Sequence, residues 1–212
     1  MKNSDTENPA VYSPSNEPYL GRESVRAFDN MIVACLEANA VVAPRTHVVD
    51  PTALQRAANQ IIPQGLSLAL SIRELVRQGY LFGALVLLRP LVERAAILRY
   101  LVEQPDKLEI WERGWRHRER PSLATMLNAL GKDSFPDIGK ELTRPYNSLT
   151  HGDPASSRWN LIKIGEESLG YSVSKILNNP ALCDSICAEA ATWLSIFMVT
   201  MLEIYPDKKV DV

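Results

Sequence analysis

Residues 80–103 read YLFGALVLLRPLVERAAILRYLVE, from Tyr80 to Glu103. Apolar side chains fall on nearly every side of a 3.6-residue period here, and a helix that is hydrophobic all round must be covered from several directions. The stretch predicts a central helix with others packed around it, hence an all-α multi-helix bundle. Pro90 lacks a backbone donor and predicts a kink. Arg89 and Glu93 stand four residues apart and share one face. A charge on so apolar a helix needs an acceptor, since burying it alone is costly. The two side chains read either as an ion pair that sets helix register or as the polar wall of a ligand pocket.

The flanks continue the helical period. From Glu23 to Val42, the positions Val25, Phe28, Ile32, Cys35, Leu36 and Val42 recur at helical steps, and Pro44 ends the run. Pro51 predicts the start of a helix running from Thr52 towards Arg77, with a break or kink at Pro63 and a stop at Gly79. Downstream, helices are predicted over Lys107–Arg120 and from Pro121 to Leu130, the latter capped by Gly131. A stripe of Ile138, Leu142, Tyr146 and Leu149 continues to His151. Between Asn160 and Ser174 the period falls to two, which predicts a β-hairpin. Asn178, Asn179 and Pro180 open a last helix to about Tyr205, whose apolar ring suits either a core helix or half of a dimer interface. The expected architecture is six to eight helices and one small hairpin, in a single domain spanning residues 21–206. A disordered N-terminal arm of residues 1–20 precedes it and a tail of residues 207–212 follows.

The chain has 212 residues, 46% of them hydrophobic, and a net charge of −2. That length and apolar content support a sizeable core, and the balance of charge excludes a polybasic nucleic-acid binder. Residues Met1 to Pro18 lack the basic and apolar regions of a signal peptide. The most apolar stretch, Ala190 to Leu202, is bracketed by Glu189 and Glu203 and is too short to span a bilayer. Cys35, Cys183 and Cys187 form no Cys-x-x-Cys pair and read as free buried thiols of a cytoplasmic protein. With His47, His117 and His151 as the only histidines, no metal-ligand spacing is present, and no cofactor is expected.

Two segments carry candidate chemistry. In Arg144-Pro-Tyr-Asn-Ser-Leu-Thr-His151 the Arg and His are two helical turns apart, within about 20° of one face. A guanidinium that grips phosphate and an imidazole that titrates near neutrality make a sensible pair for metal-free RNA cleavage. His151 would shuttle the proton of an attacking ribose 2′-hydroxyl, and Arg144 would stabilise the charge building on phosphorus. Tyr146 and Asn147 would be supporting polar groups. Pro145 disfavours α geometry at Arg144 and predicts a local departure from the helix. In the second segment, Arg113, Arg116 and Arg120 are spaced i, i+3, i+7 beside Trp111 and Trp115. On a helix this predicts a basic stripe with an aromatic neighbour, suited to an RNA backbone and its bases, or else a solvated amphipathic surface.

The Leu87–Ala95 segment, LLRPLVERA, followed by Tyr146-x-x-Leu149-Thr150-His151-Gly152, resembles bacterial helical families that pair a central Arg-x-x-x-Glu helix with a late His-containing segment. These in turn resemble the HEPN superfamily, whose nucleases carry Arg, four to six residues, then His near the end of a late helix. The resemblance covers roughly Gln55 to Gly152. It implies an endoribonuclease with Arg144 and His151 as the catalytic pair, in a homodimer whose motifs face each other; Arg89 and Glu93 are supporting candidates from their own spacing. The setting it implies is toxin action or phage defence, with RNA and an antitoxin or defence protein as partners. The alternative reading is a non-catalytic helical module that binds a partner or ligand.

Overall fold

The computed structural model describes residues 17–47, 50–116, 119–130, 143–148, 154, 161–163, 166, 168–171, 175–177 and 179–206. It is mainly helical. Helix α1 spans Glu23–Val42 and runs into a 3₁₀ turn, Ala43–His47. Helices α2 (Ala53–Gln78) and α3 (Leu81–Glu103) follow. After a short 3₁₀ turn, Pro105–Lys107, come α4 (Leu108–Glu112) and α5 (Leu123–Leu130). Residues 143–148 are helical (α6), and α7 spans Pro180–Ile204. Two three-residue strands, β1 (Leu161–Lys163) and β2 (Leu169–Tyr171), pair antiparallel with Leu161 opposite Tyr171. Much of the remainder of Asn160–Ser174, where the hairpin is expected, lies outside the described residues, as do residues 131–142.

Helices α3 and α7 form the centre. Helix α7 packs against α1, α2 and α3, while α3 packs in addition against α2 and α5. The all-round apolarity of α3 has this cause: Leu81, Ala84, Leu88, Leu91, Val92, Leu98 and Leu101 are all fully covered. Among the described residues α7 is the one helix long and apolar enough to cross a bilayer by length and composition. Here it is a core helix, with Trp193, Leu194, Phe197 and Met201 buried and Val199 and Leu202 exposed. Its close crossing with α2 depends on Gly65, where a Cβ would lie 2.6 Å from Phe197 Cζ.

Local chemistry sets the ends. Thr52, rather than Pro51, begins α2: its hydroxyl accepts from the Gln55 N–H at 3.2 Å while Gln55 Oε1 accepts from the Thr52 N–H at 3.0 Å. This reciprocal box satisfies two donors that a proline start would have left open. Gly79, at φ 80°, closes α2 as expected. Both α2 and α3 run unbroken through Pro63 and Pro90. Asn179 caps α7 by accepting from the Leu182 N–H at 3.1 Å, with Pro180 in the first turn.

Polar ties join the helices at the rim of the core. Arg22 and Ser24 at the start of α1 both donate to Asp184 of α7, and Arg73 of α2 donates to Asp29 of α1. The Tyr205 hydroxyl donates to the Gln55 carbonyl at 3.1 Å. Tyr19, placed by the sequence in the N-terminal arm, is buried and donates to the Ile176 carbonyl. All three cysteines are free and buried, and burial pushes the Cys35 thiol up to about 11.

Candidate functional site

The segment after α3 departs from its predicted form, and the departure builds the site. The helix expected over Lys107–Arg120 ends at Glu112, because Gly114 adopts the left-handed conformation at φ 81°. The Gly114 N–H donates to the Trp111 carbonyl at 3.0 Å, a helix-terminating contact. Arg113, Arg116 and Arg120 therefore form no helical stripe. Arg113 is exposed and lies 3.6 Å from Glu119, and the Arg116 N–H donates to Glu119 Oε2 at 3.3 Å. Arg120 turns the other way, back to α3, where its Nη2 donates to Glu93 Oε1 at 3.3 Å.

That turn closes one side of a cavity of about 650 Å³ between α3, α5 and α6. Its walls are Arg89 and Glu93 from α3, Trp115 and Arg120 from the connecting segment, Pro121 to Ala124 at the start of α5, and Thr143 and Asn147 from α6. Ser122 caps α5: its Oγ accepts from the Thr125 N–H at 3.1 Å and lies 2.8 Å from the Thr125 hydroxyl. The first turn of a helix leaves backbone N–H groups without intrahelical partners and carries the positive end of the helix dipole. Two guanidinium groups and this helix start thus face one space, with Glu93 as its one acidic wall among the described residues.

The expected Arg89–Glu93 pair is not formed. Glu93 lies 3.3 Å from Arg120 and 3.7 Å from Arg94, its side chain only 18% exposed. Arg preceding Glu at i, i+4 is the weaker order on a helix, and two other guanidinium groups compete for the same carboxylate. Arg89 is left with its Nη1 buried and without a hydrogen-bond partner among the described residues. Both side chains line the cavity, each on its own terms rather than as a pair.

Residues 143–148 are helical through Pro145, so Arg144 is helical after all. Arg144 is exposed and does not line the cavity, whereas Asn147, three residues on, does. The face of α6 turned to the cavity carries Thr143 and Asn147, four residues apart. Tyr146 belongs to the hydrophobic core. His151 lies outside the described residues, and with it the spacing of the Arg144–His151 pair.

The cavity joins Arg89, Glu93, Trp115, Arg120 and Asn147 from separate parts of the sequence, and leaves Arg113 and Arg116 outside. Sequence reasoning missed Ser122, the start of α5 and Thr143. A signal for the first was present, since Ser122 precedes Thr125 by the three residues of a helix cap. No family model, curated protein or solved structure matches the chain.

Proposed function

We propose that the chain binds the phosphate group of an RNA in the cavity between α3, α5 and α6. One observation carries this reading: the buried, unpartnered Nη1 of Arg89 in a wall shared with Arg120 and the start of α5. A buried donor without an acceptor is costly to a fold, and a bound anion supplies what is missing. Trp115 adds an aromatic surface at the same place.

A second reading adds cleavage, and it draws support from the exposed Arg144 next in sequence to Thr143 of the cavity wall. In this HEPN-like endoribonuclease, His151 takes the proton of a ribose 2′-hydroxyl as its oxygen bonds to the adjacent phosphorus. Arg144 stabilises the phosphorane charge, the bond to the 5′-oxygen breaks as His151 returns the proton to that oxygen, and a 2′,3′-cyclic phosphate and a 5′-hydroxyl are left. A homodimer, a toxin or phage-defence role in the cytoplasm, and a complete hairpin over Asn160–Ser174 belong to this same proposal.

Incubating purified protein with single-stranded RNA tests both readings. Retention of RNA by the wild type and by His151→Ala, with loss in Arg89→Met, is the result expected for binding. Strand scission by the wild type alone is the result expected for cleavage. RNA bound equally by Arg89→Met removes the cavity from the account, and intact RNA after incubation with the wild type removes the enzyme.

A further inference from the structure

A second cavity of about 310 Å³ adjoins the first, and Trp115 and Arg120 line both. Its floor is apolar, formed by the buried Ile61 of α2 and Ile97 of α3. Trp111 joins Trp115 in its walls, and Gln60 and Gln64, one turn apart on α2, stand at its rim with Arg94. Arg94 Nε donates to Gln64 Oε1 at 2.8 Å. A guanidinium has no acceptor, so it fixes the orientation of this amide: the oxygen faces Arg94, and the two Nε2 hydrogens remain for another partner.

We infer that the ligand is a nucleotide unit, with its phosphate in the first cavity and its base in the second. This rests on the phosphate reading above and extends it to the substrate class. A nucleobase has apolar faces and a polar edge. The second cavity offers two indoles and an isoleucine floor to the faces, and two primary amides to the edge. The Gln60 amide has a donor and an acceptor side by side, the pattern that base edges pair with, and Gln64 adds its Nε2 donors. The shared Trp115–Arg120 wall stands where the ribose must link the two parts.

Calorimetric titration of the full chain with ribose 5-phosphate and with each of the four nucleoside 5′-monophosphates separates the cavities. Base stacking on an aromatic side chain strengthens binding by roughly tenfold, within a wide range. At least one nucleotide is expected to bind about tenfold more tightly than ribose 5-phosphate. Gln64→Leu, an exposed substitution, should lower that advantage while leaving the affinity for ribose 5-phosphate unchanged. Trp111→Leu should do the same more strongly, and circular dichroism of both variants checks that each folds. Four nucleotides that bind no better than ribose 5-phosphate overturn the base subsite and leave the phosphate cavity standing. An advantage unaltered by either substitution also overturns it. Absence of binding by ribose 5-phosphate and all four nucleotides removes both cavities from the account.

Discussion

Replacing Arg89 by Met should make the protein more stable and less able to bind an anion. Nη1 of Arg89 is buried with no partner among the described residues, while Glu93, four residues on, lies against Arg120 and Arg94. Leaving a buried donor unsatisfied costs about 1–3 kcal/mol. Methionine keeps the apolar stem that packs along α3 and removes the guanidinium, so the variant should gain about that much. For a chain of this size 1 kcal/mol moves the unfolding midpoint by about 2–4 °C, giving a rise of roughly 2–12 °C without ligand. Phosphate should reverse the order, because a ligand at a hundred times its dissociation constant stabilises the wild type by about 2.7 kcal/mol. Thermal unfolding of both proteins over a phosphate series, at constant ionic strength, reads both effects. A midpoint several degrees lower in Arg89→Met would show that Arg89 is a structural tie. An equal response of both proteins to phosphate would place the anion elsewhere.

Three further outcomes follow from other parts of the molecule. Glu93→Gln removes the one carboxylate that the described residues give the cavity and frees Arg120, half exposed in its present pairing; phosphate should then bind about 2- to 5-fold more tightly by titration, since such pairs contribute about 1 kcal/mol or less. Gly65→Ala gains about 1 kcal/mol of helix propensity but sets a Cβ 2.6 Å from the Phe197 ring, an overpacking worth about 1–3 kcal/mol. It should lower stability to urea in the wild type and raise it in a Phe197→Leu background; an increase in both would disprove the close crossing of α2 and α7. Arg22 and Ser24 hold the Asp184 carboxyl down to about 2. A depressed acid stabilises the fold above its unfolded pKa, so this contribution is present at neutral pH and fades as pH falls from about 4 to about 2. The pair is more than a third exposed, so the loss should not exceed about 1 kcal/mol. Asp184→Asn should flatten that limb of the acid-unfolding curve, and an unchanged limb would show that the carboxylate is not held in solution.

The four long helices were legible because their determinants are local. The period of Val25, Phe28 and Ile32, the apolar ring of α3, the stop at Gly79 and the start at Asn179-Pro180 each specify an element without reference to the rest of the chain. The segment from Trp111 to Arg120 was not legible in the same way. Its charges keep helical spacing, and that pattern competes with a glycine whose preference for a positive φ is only one of several open to it. The cavity was half legible. Arg89 and Glu93 announced themselves as charges on an apolar helix, but their partners Arg120, Ser122 and Asn147 arrive from three other segments by tertiary packing. Local spacing suggested that Arg89 and Glu93 would pair with each other, and it carried no information on which guanidinium groups would compete for Glu93.

Gly114 gives this architecture an unusual separation of concerns. A Cβ at that position would meet nothing within 4 Å, so only torsion, about 1–2 kcal/mol, opposes a side chain there. An alanine would relieve that torsion by letting α4 continue along the helical spacing already written into Arg113, Arg116 and Arg120. Trp115 and Arg120 would swing off the wall they share between the two cavities, while the core of α1, α2, α3 and α7 kept its contacts. A single achiral position could thus dismantle the proposed site with hardly a trace in the stability of the fold.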